Sequence, residues 1–330
     1  MKFYKIIKLI SAFILILLFP YRLHSTELSL PLDCTIGTNC FIQNYVDMSK
    51  GKERSDYNCG ILSYDKHKGT DFSISTKDDF NVLAAATGKV VGTRNNIEDI
   101  NFKLRNPDIV MNVECGNGVL IQHENGWETQ YCHMKQGSIT IKVGQLVNKG
   151  DVLGKVGLSG FTEFKHLHLS VRKDGIAIDP FSSQAMESGC KGNKYAANGL
   201  WKHYTALDLK YTDSAIVDFG IKDEFPISEF KARNGDYNKT EIRNNSNLML
   251  FWMDLISPQK GDLLEVSVKY PNNRSRNLNV KVDQTKVRRF QYFGIKKTTP
   301  KWEDGIYQLT YKLRRNGRIL SEKELNIKVE

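Results

Sequence analysis

His166 and His168 stand two apart in the segment Phe164-Lys-His-Leu-His-Leu-Ser-Val171. In a β-strand, residues i and i+2 share a face, so the two imidazoles project side by side while Leu167 and Leu169 turn to the core. Such a pair is half a metal site. A second motif, His67-Lys-Gly-Thr-Asp71, places His67 and Asp71 four apart. Gly69 disfavours a helix there, so a strand and a turn must bring the two together. One Asp oxygen and two imidazoles make three ligands. That leaves a fourth tetrahedral position for water, as in a catalytic rather than a structural zinc site. His133, in Tyr131-Cys-His-Met134, lies between the two motifs. Two more histidines beside an open zinc could hold the water and stabilise a tetrahedral intermediate. An isolated His-x-His is more often an ordinary polar strand pair. The specific signal is the order of all three motifs. Spacing does not tell which of His166 and His168 holds metal.

These residues need strands to present them. From residue 61 to about 180 the chain reads as short alternating strands punctuated by glycine, including Val119–His123 and Glu128–Cys132 around the hairpin signal Asn125-Gly126. The segment 143–157 repeats glycine between apolar residues, a rhythm of tight turns in a small barrel-like sheet. Residues 26–60 read as irregular and 181–200 as a covering segment or linker. After about residue 201 alternation resumes in Val266–Tyr270, Leu278–Val282, Tyr307–Leu313 and Leu325–Val329, with Asn316-Gly317 as a further hairpin. Short strands at this spacing predict an Ig-like β-sandwich. The expected fold class is therefore all-β, with domains at 1–25 (signal), 26–60 (N-terminal extension), 61–190 and 201–330.

Residues 1–25 combine Lys2, Lys5 and Lys8 with an apolar run from Leu9 to Phe19 and a small residue, Ser25, for cleavage. This is the layout of a secretory signal. The run is shorter than the roughly 20 residues of a spanning helix. Six cysteines, at 34, 40, 59, 115, 132 and 190, contain no C-x-x-C and fit disulfides in an oxidising compartment. Sequence does not choose among their pairings. A short loop joins Cys34 to Cys40 and a hairpin joins Cys115 to Cys132, which would leave Cys59 for Cys190.

Over roughly residues 60–181 the chain resembles the lysostaphin/LytM-type zinc endopeptidases of bacterial cell walls. The resemblance rests on His67-Lys-Gly-Thr-Asp71, the run Gly116 to His133, the glycine-rich segment 143–157, His166-Leu-His168 and Asp179-Pro180. It implies an antiparallel β-sheet groove of the duplicated hybrid type. It implies His67, Asp71 and His168 as ligands of one zinc ion, and His133 and His166 as the catalytic pair. It implies peptide cross-links of peptidoglycan as substrate, and with the signal a periplasmic or cell-envelope location. Thr70 and Cys132 depart from the usual pattern, but neither removes a ligand. The alternative function is a catalytically silent or autoinhibited scaffold that regulates other wall hydrolases.

The formal charge of +10 hides an asymmetry. Residues 26–190 hold 17 basic and 20 acidic side chains, a net of −3, whereas 191–330 hold 26 and 17, a net of +9. The basic half is a candidate for contact with an anionic wall polymer or membrane surface. Nucleic acid is not an expected partner of an exported, disulfide-bearing hydrolase. The clusters Lys286-Val-Arg288-Arg289 and Arg314-Arg315 read as solvated strand faces, His123 as a structural hydrogen-bonding residue, and His203 as a packing residue.

Overall fold

A computed structural model describes residues 26–104, 111–190, 192, 199–202, 205, 208–211 and 214–330. The signal expected at 1–25 and His203 lie outside the described residues. Among those described, no helix is long and apolar enough to cross a membrane.

The first half is built on β1 (Cys40–Asn44), β2 (Thr70–Ile74), β3 (Asn81–Leu83), β4 (Gly88–Arg94), β5 (Asn117–Gln122), β6 (Trp127–Met134), β7 (Leu146–Val147), β8 (Val152–Lys155), β9 (His166–Lys173) and β10 (Ile176–Ala177). Its main sheet runs β1-β2-β9-β6-β5-β4-β7, with β10 added to β9 and every pairing antiparallel. The hairpin from β5 to β6 turns where the sequence places Asn-Gly. Asn125 and Gly126 take φ of 56° and 73°, the left-handed values that a tight hairpin turn demands. Leu167 and Leu169 of β9 are fully buried in the core beneath this sheet, together with Phe72, Val119, Ile121 and Tyr131.

Residues 26–60 differ from the irregular extension the sequence implies. Their Cys40–Asn44 stretch is a fully buried edge strand paired with β2. Its continuation, Tyr45, Val46 and Met48, sits in the same core. The disulfides Cys34–Cys40, Cys115–Cys132 and Cys59–Cys190 form. The last spans 131 residues and ties both ends of this half together. Closing a loop of that length removes about 5 kcal/mol of chain entropy from the unfolded state.

The second half holds β11 (Ala215–Lys222), a short helix α1 (Glu229–Asn234), β12 (Glu241–Ile242), β13 (Leu248–Ile256), β14 (Leu263–Lys269), β15 (Ser275–Lys281), β16 (Arg288–Lys296), β17 (Gly305–Arg315) and β18 (Arg318–Val329). A three-stranded sheet, β11-β13-β16, packs on a five-stranded sheet, β12-β18-β17-β14-β15. Alternate residues of both, such as Phe251 and Met253 against Val266, Leu309 and Tyr311, make one core. This is a β-sandwich.

The two halves meet over Phe41, Ala215, Val217 and Ile256. Asp218 of β11 accepts hydrogen bonds from the backbone and hydroxyl of Thr76 at 2.9 and 2.5 Å, and the Lys77 ammonium lies 3.2 Å from the centre of the Phe219 ring. The arginines expected on solvated strand faces are instead matched to carboxylates. Arg288 bonds Asp254, Arg289 bonds Asp283, Arg314 bonds Glu265 and Arg315 bonds Asp262. Asp254 and Asp262 are buried, and a buried carboxylate needs such a partner.

Candidate metal centre

β2 and β9 are paired so that Asp71 faces His168 and Ser73 faces His166. On the other side of β9, His168 faces Cys132 of β6. One row across three strands therefore carries Asp71, His168 and the residue before His133. His67 reaches the same point from the turn before β2. Gly69 lies between them, where an added Cβ would meet His168 Nε2 and the Leu169 carbonyl at 2.6 Å each. Only glycine lets the chain pass this close to the His168 ring.

The donor atoms form a tight triangle. His67 Nε2 lies 3.2 Å from Asp71 Oδ1, His168 Nδ1 lies 2.8 Å from the same oxygen, and the two nitrogens are 3.1 Å apart. A tetrahedral ion with bonds of about 2.0–2.1 Å spans donor edges of about 3.3 Å, so the triangle is the right size for one face of such a site. The donor set of two imidazoles and a carboxylate also suits zinc. These three residues could hold a metal ion.

The far nitrogen of each imidazole is occupied. His67 Nδ1 donates to the Tyr45 carbonyl at 2.7 Å, and His168 Nε2 is hydrogen-bonded with Ser170 Oγ at 3.0 Å. His133 Nδ1 donates to the Ser159 carbonyl at 2.8 Å, and His166 Nδ1 to the Phe164 carbonyl at 3.0 Å. Each bond orients its ring toward the triangle. His166 Nε2 is 3.5 Å from Asp71 Oδ1, and the His133 and His166 ring centres are 4.7 Å apart. All five residues singled out from the sequence thus converge on one spot.

Electrostatics favour an anionic Asp71. Burial would raise the Asp71 carboxyl, but the facing His67 and His166 and hydrogen bonds from His166 and His168 hold it well below the usual range. Burial pushes His133 well down, helped by His166 and His168. It also lowers His168, against the pull of Asp71.

His133 has φ of 61°, a left-handed conformation that costs a non-glycine residue about 1–3 kcal/mol. Its surroundings hold it there. Its backbone N–H donates to the Cys115 carbonyl at 2.8 Å, its neighbour Cys132 is cross-linked to Cys115, and its ring is bound to Ser159. His133 and His168 open into a cleft of about 700 Å³ walled by Tyr64, Glu114, Gln130, Phe161, Arg172 and Ile176. Tyr64, Phe161 and Ile176 are each about half exposed, so the walls offer apolar contact around a polar floor.

Two supporting residues carried no sequence signal. Asn44 of β1 donates to Asp71 Oδ2 at 2.9 Å, which fixes the oxygen not turned to the triangle. Thr162 holds the His166 Nδ1 side at 3.1 Å. His123 bonds the Thr87 carbonyl and Thr129 Oγ1, both at 2.8 Å, as expected of a structural residue.

Asp179 is fully buried. Burial pushes its carboxyl up to about 7 despite hydrogen bonds from Ser182 and Phe181. The folded chain therefore holds a proton there that the unfolded chain has released above pH about 4. Stability from this group is present at low pH and is lost as pH rises from about 4 to about 7. We expect the stability of wild type relative to Asp179→Asn to fall across that window and to stay flat above it. Urea midpoints measured at each pH check this.

Residues 65–180 match Peptidase family M23, and this part of the chain is a peptidase M23 domain. It is 39% identical over 107 residues to the DD-carboxypeptidase/endopeptidase Mpg of Neisseria meningitidis serogroup B, covering 30% of this chain and 24% of that protein. It is 33% identical over 113 residues to the peptidoglycan DD-endopeptidase ShyA of Vibrio cholerae, covering 34% and 22%. It is 28% identical over 122 residues to stage II sporulation protein Q of Bacillus subtilis, covering 36% and 37%. The chain thus spans less than two-fifths of the length of these curated relatives.

Proposed function

We propose that the protein is an exported zinc-dependent endopeptidase that cleaves peptide cross-links of bacterial peptidoglycan. The observation that carries this reading is the triangle of His67 Nε2, Asp71 Oδ1 and His168 Nδ1 with His133 and His166 beside it. In this reading His67, Asp71 and His168 bind one zinc ion per chain. Zinc held there would supply Lewis acidity toward the scissile carbonyl and toward water. His133, kept neutral by burial and open to the cleft, accepts the proton of the attacking water and returns it to the departing amine. His166 stands next to it and steadies the charge that develops on the carbonyl oxygen. Asn44 keeps Asp71 oriented throughout.

We assign the endopeptidase domain to residues 61–190, with 26–60 as an N-terminal extension folded into it and 201–330 as a C-terminal sandwich. An export signal at 1–25 would deliver it to the periplasm or cell envelope. The substrate class draws support from the wall-directed names of Mpg and ShyA. A grip on an anionic wall polymer or membrane draws none from Arg288, Arg289, Arg314 or Arg315, whose charges are matched internally. The likeness to a sporulation protein favours the alternative of a silent or autoinhibited regulator. The complete histidine set weighs against silence.

Incubating the purified protein with isolated peptidoglycan, with and without a chelator, separates the readings. New amino termini that vanish with the chelator support the enzyme. Cleavage that appears only after truncation supports autoinhibition, and no metal-dependent cleavage in any form rejects the proposal.

A further inference from the structure

We propose that Arg288, in the C-terminal sandwich, is a positioning residue for the metal centre, so that residues 214–330 complete the site rather than trail it as a tethered module. The inference rests on the endopeptidase reading for its kinetic arm only.

Arg288 opens β16 and points at the first domain. Its Nε and Nη2 donate to Asp254 Oδ2 at 2.9 and 2.5 Å. Arg233 of α1 grips the same carboxylate at 3.1 and 3.2 Å. Asp254 is fully buried, so the guanidinium is clamped from behind by a carboxylate that cannot turn to water. Two contacts lead forward from it. Its Nη1 donates to Gln43 Oε1, and its planar head lies 3.9 Å from the centre of the Phe164 ring.

Both contacts end one step from the site. Gln43 precedes Asn44, the partner of Asp71. Phe164 gives its carbonyl to His166 Nδ1, and its ring lies 4.6 Å from the His166 ring. The order Asp254, Arg288, Phe164, His166 is thus a continuous stack from the core of one domain to a catalytic candidate of the other. The same loop is braced a second time. Glu163 pairs with Lys103 at 2.8 Å, and the Lys103 ammonium lies 5.8 Å from the Phe230 ring of α1. Loops are where site geometry is loosest. Here the loop from Thr162 to Lys165 is met directly by a sandwich side chain at Phe164 and, through Lys103, approaches a second one at Glu163. Simple domain adhesion is already served by Phe41, Val217 and Ile256 and by Thr76 with Asp218. It does not require an arginine seated on the residue that holds His166.

The test compares full-length wild type with Arg288→Lys, Phe164→Leu and the double variant. Lysine keeps the charge for Asp254 but loses the planar stack and the bond to Gln43. Leucine removes the ring and leaves Arg288 with Asp254. The probe is a soluble cross-linked peptide fragment released from peptidoglycan. Each single variant is expected to lower kcat about 10-fold with KM within about 2-fold, and the double to lose little more than either single. Imidazole nitrogen NMR supplies a readout independent of turnover. The His166 signals should shift in all three variants while those of His123, which is bonded to Thr87 and Thr129, stay in place. Unchanged kcat and unmoved His166 signals, with only the melting temperature lowered, would show Arg288 to be mere adhesive and overturn the proposal. If the wild type hydrolyses nothing, the endopeptidase reading fails, and the His166 signals alone decide this inference. If Arg288→Lys does not fold, Phe164→Leu carries the same pair of readouts.

Discussion

Replacing His168 with Ala is expected to lower peptidoglycan cleavage by about 10³-fold or more and to strip the metal. His168 supplies one corner of the donor triangle, and its Nδ1 stands 2.8 Å from Asp71. With two donors left, the site offers neither the charge nor the geometry that a tetrahedral ion needs. A bound metal contributes several kcal/mol to charge stabilisation in the transition state, and each 1.36 kcal/mol is a factor of ten in rate. Metal content by mass spectrometry and release of new amino groups should fall together. The fold should survive, because His168 is presented on the groove side while its neighbours Leu167 and Leu169 carry the packing. Asp71 would keep its bonds to Asn44 and His67.

Altering His133 should separate proton transfer from metal binding. Asn is the informative replacement, because residue 133 has φ of 61° and Asn tolerates that conformation better than Ala. The His133 ring centre is 6.0 Å from that of His168 and belongs to no edge of the donor triangle. We expect His133→Asn to keep wild-type metal content and to lose about 10²–10⁴-fold in kcat, the usual worth of a positioned general base. Retained metal with lost turnover would assign His133 to proton transfer. Loss of both would place it among the groups that hold the ion.

His166 and His168 were legible in the sequence as a pair because they repeat on a strand period, whereas His67, Asp71 and His133 were joined to them by motif order and by the family resemblance. His166 and His168 had to share a face, and Asn125-Gly126 announced the hairpin that carries β6 back beside β9. Other features had no local signature. Asn44 lies in a stretch without strong alternation, and its strand exists because Ile42 and Tyr45 find a core built from distant segments. Which of the two β9 histidines enters the triangle depends on the partners of its far nitrogen, Ser170 for His168 and the Phe164 carbonyl for His166. Arg288 looked like one more charge on a solvated strand because its partners Asp254, Gln43 and Phe164 are 34, 245 and 124 residues away. Local pattern predicts faces and turns. It does not predict which buried carboxylate a basic residue will find.

The most direct test of the account is add-back of zinc to chelator-stripped protein, followed by the initial rate of amino-group release from isolated peptidoglycan. The account predicts no release from the stripped protein and a rate that climbs with added zinc to a plateau at one ion per chain. Release that is indifferent to zinc, or a fully loaded protein that releases nothing, would contradict it.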